Sequence, residues 1–373
     1  MKAVIVGGGV AGLSIGWRLA QAGCDVVVLE RGSPGRGATW ASGGMIAAAA
    51  ETGHADTPDA AFAQKSARMW PDFAAEIERQ SQSEIHYRRS GTLIAALSRE
   101  EFESLSSHAS PRTMMLSPEE TLDLEPMLRN DVAGALSAPD DAQVDNRALG
   151  LALALALVNA GGVLQTNEAV VRFEMGQDRV LGVRTPFALH EGDVFVLAAG
   201  AWSGEMIGLP PGAIPPVVPV KGEMIALDPP DGRKLPTHLV WGEGIYLIPR
   251  HRRLFVGATV AREGFDTSTT DGARAWLFRR AVSLMPDLRH WPIAEQWAGL
   301  RPGTPDDLPI LGETSVPGLF VASGQFRNGI LFAPAIAEAL HSFVMEQRSP
   351  PEIAAFAPGR FQDARQAGAG VVQ

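Results

Sequence analysis

Residues 2–30, KAVIVGGGVAGLSIGWRLAQAGCDVVVLE, fit only a narrow set of folds. Gly7, Gly9 and Gly12 have G-x-G-x-x-G spacing, set between the β-branched run Val4–Val6 and a segment with Ala, Leu and Ile at helical intervals. A second apolar run, Val26–Leu29, ends at Glu30, eighteen residues beyond Gly12. Strand, glycine turn, helix and strand in this order predict a βαβ unit opening a parallel sheet. The glycines permit a tight turn, close helix–strand packing and approach of backbone N–H groups to a pyrophosphate at the helix N-terminus. Glu30 stands where an acid accepts hydrogen bonds from ribose hydroxyls, and an acid there disfavours a 2′-phosphate. The competing reading of the glycines is a purely structural turn.

Downstream, the Gly/Ala/Ser-rich tract 35–51, GRGATWASGGMIAAAAE, has little to anchor a core and is expected to lie as loop and helix start close to another group. Residues 59–80 read as a helix. Residues 86–141 mix short strands with acidic helical pieces, among them a capping box at Ser117 and Glu120. A buried helix is expected through LGLALALALV (149–158), closed by Gly161, then a hairpin turning at 176–178. The run DVFVLAAGAWSG (193–204) predicts a buried strand ending in small residues, where open α/β sheets bind ligands. From about 215 to 260 the segments VVPVKGEMIAL, THLVWGEGIYLIPR and RLFVGATV alternate as in an antiparallel sheet. The last part runs strand, loop and a helix beginning near Gly329, returning to the first sheet. Length alone favours two domains. Residues 1–85, 142–215 and 297–373 are assigned to a discontinuous nucleotide domain, and 86–141 and 216–296 to a substrate domain.

Several functions are disfavoured. The net charge is −10 with both signs mixed along the chain, which leaves no electrostatic footprint for nucleic acid or an anionic membrane. The longest apolar run is about half of the roughly 20 residues a spanning helix needs. A strand-like run from residue 2 leaves no room for a signal peptide, so a cytoplasmic protein is expected. Cys24 is the single cysteine, which excludes an internal disulfide and any multi-thiolate metal site. The histidines lack ligand spacing, so no metal is assigned. Gly12-Leu13-Ser14-Ile15-Gly16 matches G-x-S-x-G, but a nucleophile elbow needs its serine at the apex of the turn, and Ser14 falls inside the helix.

The fingerprint, the 35–51 tract and the strand end AAGAWS together resemble the D-amino acid oxidase-like FAD-dependent oxidoreductases. YLIPR (246–250), WAGLRPGTPDDLPILG (297–312) and GQFRNGILFAPA (324–335) resemble, within them, the glycine oxidases of thiamine biosynthesis. The resemblance spans nearly the whole chain and is weakest between about 50 and 140. It implies an α/β fold: a Rossmann-type FAD-binding domain with a mixed or antiparallel-sheet α+β substrate domain. It also implies non-covalent FAD, since relatives that attach flavin through a cysteine use one late in the chain. The cofactor is then expected against Gly7, Gly9, Val10, Ala11 and Gly12, against Glu30 and Arg31, and against Thr39, Ala41, Ser42, Gly44 and Met45. Val170, Ala199, Gly200 and Trp202 would complete the wall, together with Arg301 and the segment Phe326, Arg327, Asn328, Gly329, Ile330 and Leu331.

Arg301 is notable without any family. It lies between Leu300 and Pro302 in a buried-looking run, and lone arginines are seldom buried without an anion. A structural reading pairs it with Asp306, Asp307 or Glu223. The resemblance gives it a substrate carboxylate instead, shared with Tyr246, while Arg327 lines the pocket or braces its loop. The implied activity is oxidative deamination of glycine or a closely related small amino acid. Hydride leaves Cα for the flavin, O2 becomes H2O2, and the imine is hydrolysed or used for thiazole assembly. Two departures from the glycine oxidase pattern, Gly244 and Val260, are expected to enlarge the pocket. Sarcosine or D-amino acid oxidation, a dehydrogenase, an NAD-dependent enzyme and a non-catalytic FAD-binding subunit are the competing readings. Relatives of this type are often homotetramers.

Overall fold

The computed structural model describes residues 1–52 and 56–361. Two sheets organise them. The first has six strands in the order Ile310–Glu313, Leu319–Ser323, Val194–Leu197, Lys2–Val6, Asp25–Glu30, Val163–Thr166. Every pairing is parallel except that of the edge strand Ile310–Glu313 with Leu319–Ser323. Strands buried on both faces read as continuous apolar runs, as Ala3–Val6 and Val26–Leu29 do. One face is covered by the helices Val10–Gln21, Pro58–Ser81, Asn146–Asn159 and Ala333–Glu346, around Trp17, Phe62 and Trp70. Against the other face packs a three-stranded antiparallel sheet, Arg172–Met175, Val180–Arg184 and Leu189–Glu191, through Phe173, Val180 and Val183.

The turn at the start explains the glycine spacing. Gly7 has φ +110°, and a Cβ on Gly12 would overlap the Gly7 carbonyl oxygen. Helix and strand approach this closely only without side chains at both positions.

The second sheet has eight strands: Ile293–Gly303, Val218–Leu227, Arg253–Gly257, Ile245–Arg250, Leu239–Gly242, Thr92–Ala96, Gly134–Ala138, Met114–Leu116. All pairings are antiparallel except that of Leu239–Gly242 with Thr92–Ala96. The helix Asp271–Leu284 covers one face through Leu277, Ala281 and Leu284. The other face presents Met224, Tyr246, Ile248, Phe255 and Trp297 toward Trp40, Ala41 and Met45 of the small-residue tract.

Three sequence expectations change. The strand Ile293–Gly303 belongs whole to the second sheet, in register with Val218–Leu227, so the limit drawn between 296 and 297 cuts a strand. Apolar character alone did not mark where this strand ends. The helix through 149–158 is not buried all round: Leu149, Leu153 and Leu157 are in the core, but Leu151, Leu155 and Val158 are 59, 46 and 50% exposed. An unbroken Leu/Ala run hides this division, because both faces carry the same residue types. The final helix begins at Ala333 and not near Gly329. The expected capping box is present, with Ser117 Oγ accepting from Glu120 N and Glu120 accepting from Ser117 N.

The two sheets are tied together beside the 39–45 tract by Arg250, which is 6% exposed. Its Nη2 donates to Gly43 O at 2.7 Å and its Nη1 to Asn146 Oδ1 at 3.0 Å, while Asn146 Nδ2 donates to the carbonyls of Thr39 and Trp40, each at 2.8 Å. Burial lowers the Arg250 pKa to about 10, against the opposing pull of Asp145. Replacing Arg250 by Met leaves a carbonyl and an amide oxygen buried without donors. The expected loss is about 3 kcal/mol of unfolding free energy, read as a lower urea midpoint at unchanged m-value.

Candidate active site

A cavity of about 510 Å³ lies at the carboxyl ends of the first-sheet strands and continues under the second sheet. Of the predicted cofactor residues, Gly7, Gly9, Val10, Ala11, Glu30, Arg31, Thr39, Ala41, Ser42, Gly44 and Met45 line it. So do Val170, Ala199, Gly200, Trp202, Arg301, Phe326, Arg327, Asn328, Gly329 and Ile330, and so does Tyr246. Two do not. Gly12 serves the close packing described above. Leu331 is 1% exposed and turned to the helix core, where its carbonyl accepts from Ser66 Oγ at 2.6 Å and Trp70 Nε1 at 3.0 Å.

At one end Glu30 Oε2 accepts from Gly8 N at 2.7 Å and Oε1 from Gly32 N at 2.9 Å. Each carboxylate oxygen keeps further acceptor capacity for hydroxyl donors. Thr39 Oγ1 accepts from Val10 N at 2.9 Å, which fixes the tract against the N-terminus of the first helix. Arg31 Cζ lies over the Trp202 ring, 3.5 Å from its centroid, and Trp202 stacks on Phe265.

Toward the other end the turn 324–332 carries Gln325, which is 7% exposed and whose Nε2 is buried without a partner. A buried orphan donor lining a cavity calls for an acceptor there. Together with the glycine turn, which a Cβ at Gly8 would fill by striking Glu30 Cβ at 2.9 Å, it fits a dinucleotide with a carbonyl-bearing ring. Cys24, the single cysteine, does not line this cavity.

Arg301 sits on the strand Ile293–Gly303 opposite Val220. Its Nη1 donates to Thr259 O at 3.2 Å and to Lys221 O at 3.4 Å, and no carboxylate among the described residues comes within 4.0 Å. The three acids named as structural partners do not take that role. Asp306 pairs with Arg360 at 2.8 Å. Glu223 accepts from Thr270 N and Oγ1 and from Gln296 Nε2. Asp307 makes no ion pair with it. Space for the guanidinium is made by Gly222, where a Cβ would lie within 2.6 Å of Arg301 Cζ. Lys221, 1% exposed, holds Glu263 at 2.9 Å and Asp266 at 2.7 Å, fixing the loop that carries the Thr259 carbonyl. The Tyr246 hydroxyl has no protein partner among the described residues, and its ring passes over Gly43 and Gly257.

Glu51 was not foreseen from the sequence. It closes the alanine-rich tract on the short helix Ala48–Thr52, lines the cavity and stands 3.7 Å from Arg327 Nη2. Burial raises its pKa, with Arg327 opposing. That helix is seated on Asp141, whose oxygens accept from Ala49 N at 3.0 Å and Ala50 N at 3.2 Å. The pocket departures fall elsewhere: Gly244 faces open space in a left-handed turn, Val260 is 62% exposed, and neither lines the cavity. Among the described residues no group of His, Cys, Asp and Glu is arranged to hold a metal, and no helix is long and apolar enough to cross a membrane.

Two predictions follow from this geometry. Gly222→Ala drives a methyl into the Arg301 guanidinium, so affinity for a small carboxylate ligand should fall at least about tenfold while flavin content is retained, measured by spectral titration. Asp141 is pushed up to about 6, chiefly by burial. Its folded pKa lies above the unfolded one, so its stabilising contribution is present below about pH 4 and is lost as pH rises through 6. The loss is up to about 3 kcal/mol. Wild type minus Asp141→Asn, compared by urea unfolding from pH 4 to 7.5, should fall along that curve; a flat difference contradicts it.

Comparison with known proteins agrees with the arrangement. Residues 2–342 match the model of the FAD dependent oxidoreductase family designated DAO. The chain is 34% identical over 365 residues to the bifunctional protein ThiO/ThiG of Trichormus variabilis, covering 96% of this chain but 55% of that one, so it spans about half of that relative. It is 33% identical over 362 residues to a glycine oxidase of Geobacillus kaustophilus, covering 94% and 95% of the two chains. The crystal structure of glycine oxidase from the same organism superposes with a TM-score of 0.88 at 32% identity, covering 96% of this chain and 98% of that one. With nearly its whole length matched, the chain belongs to the DAO family of FAD-dependent oxidoreductases.

Proposed function

We propose that this protein oxidises glycine or a closely related small amino acid with FAD as acceptor and O2 as the final oxidant. The observation that carries the reading is Arg301: a guanidinium in the cofactor cavity, anchored only by carbonyls and therefore without a counter-charge among the described residues. A planar guanidinium grips a carboxylate through two parallel charge-assisted bonds, which fixes the angle at which the substrate Cα stands. Tyr246 lines the same end of the cavity and supplies a free hydroxyl for the second carboxylate oxygen. The cavity floor there is built from Gly222, Met224 and Gly43, and this suits a substrate with little or no side chain.

FAD held against the Gly7–Gly9 turn, Glu30 and the 39–45 tract would supply the redox chemistry, an acceptor for hydride from Cα with O2 as the final oxidant giving H2O2. The residues of the chain supply binding and orientation. Arg301 and Tyr246 hold the carboxylate, and the Arg250–Asn146 connection holds the 39–45 tract that forms one wall. The product imine either hydrolyses to glyoxylate and ammonia or passes to thiazole assembly. The latter is supported by the fused ThiO/ThiG organisation of a relative.

Purified protein should be yellow and release flavin on heating; a colourless preparation would exclude the reading. Peroxide formation compared across glycine, sarcosine and D-alanine assigns the substrate. Arg301→Ala should raise the KM for glycine roughly a hundredfold, the scale of a lost charge-assisted pair, with flavin content unchanged. A comparable KM for wild type and variant would remove Arg301 from substrate binding.

A further inference from the structure

Arg301 and Arg327 both line the cavity, and of these two only Arg327 has a carboxylate within 4.0 Å among the described residues. Phe326 N donates to Pro302 O at 3.0 Å, so the turn carrying Arg327 is bonded to the residue that follows Arg301. Arg327 is 42% exposed at its side chain, and Glu51 is 17% exposed. Their single contact is 3.7 Å, and neither has another ion-pair partner within 4.0 Å among the described residues. The contact is long, so the pair acts through charge more than through a directed hydrogen bond. Glu51 is also held in place from behind, because the N–H groups of its short helix are bonded to Asp141.

An anion entering this end meets different fields at the two arginines. At Arg301 no carboxylate among the described residues stands within 4.0 Å. At Arg327 the Glu51 carboxyl stands 3.7 Å from Nη2 and in its ionised form offsets the guanidinium and repels a second acid; burial raises the Glu51 pKa and Arg327 opposes that rise. We propose that Glu51 sets how many acid groups the site accepts: it cancels Arg327 as an anion receptor, so the pocket takes amino acids with one carboxylate and rejects those with two. This rests on the reading of Arg301 as the substrate-carboxylate clamp. It makes Glu51 a specificity-determining residue with no part in the redox step, and it gives Arg327 a latent second receptor site.

The test uses the FAD-loaded enzyme and non-oxidisable probes, titrated anaerobically and followed by the visible flavin spectrum. Glycolate carries one carboxylate and diglycolate two. Glu51→Gln should tighten diglycolate binding at least about tenfold, while glycolate changes by less than about threefold, and adding Arg327→Gln should abolish the gain. Unchanged diglycolate affinity overturns the proposal, as does equal tightening of both anions, which would mean net charge alone. Persistence of the gain in the double variant overturns it too. Where Glu51→Gln fails to hold flavin, Glu51→Asp withdraws the charge by one methylene and should tighten diglycolate in the same direction by about threefold; no tightening is again negative. The readout is binding, so it separates from the activity assignment: wild type that binds glycolate yet forms no peroxide from glycine would sink the proposed oxidation and leave the Glu51 result standing.

Discussion

The guanidinium of Arg301, which has no carboxylate within 4.0 Å among the described residues, is the constraint around which the second sheet is built. A charge partly withdrawn from water is costly unless it is held by dipoles or paired, and here carbonyls of Lys221 and Thr259 hold it without neutralising it. That arrangement needs a strand neighbour with no side chain, which is Gly222, and a fixed loop to present the Thr259 carbonyl. The loop is fixed by Lys221, buried on the same strand and paired with Glu263 and Asp266. Lys221 and Ser268 in turn hold the Asp266 carboxyl well below its usual range. Carboxylates that a chain of this composition could have offered to Arg301 are instead engaged by Arg360, Thr270 and Gln296. Arg301 is thus left without an ion-pair partner among the described residues.

Much of the nucleotide end was legible in the sequence because it is local. Gly7, Gly9, Gly12 and Glu30 all lie within one βαβ unit, and the geometry they require is set by backbone contacts at short range. The site at the other end was legible only in part. Arg301 could be singled out, but whether it was free depended on where Asp306 and Glu223 find their partners, 54 and 47 residues away along the chain. Glu51 had no signal at all: it ends a run of alanines, and its meaning comes from Arg327, which the fold brings across from the opposite end of the chain. Gly244 and Val260 drew attention as departures, but a pattern difference carries no information about which way a position faces, and neither lines the cavity.

Boundaries failed for a related reason. The strand Ile293–Gly303 passes without a break from residues that only pair in the second sheet to Leu300, Arg301 and Pro302, which line the cavity shared with the first. A single strand therefore carries Arg301, the proposed carboxylate clamp, up to the cavity walls. A loop at this place would have been easier to read as a domain limit and worse as a positioning device, since its side chains would be less firmly held. The Arg250–Asn146 connection does the same from the other side, fastening the tract 39–45 to the second sheet through carbonyls that no helix or strand satisfies.

These two fastenings explain how a tract so poor in large side chains can form a wall. Gly43, Gly44, Ala41 and Ser42 bury little apolar area, so hydrophobic packing cannot fix their position. Hydrogen bonds donated by Arg250, by Asn146 and by Trp297 Nε1, the last to Ala41 O, fix it instead. Small residues let a planar ring and a small substrate come close to backbone, and the buried donors keep that backbone from relaxing into the space. The proposed specificity for a small substrate then has a double origin: walls that stay close because polar groups pin them, and a guanidinium with no carboxylate within 4.0 Å among the described residues.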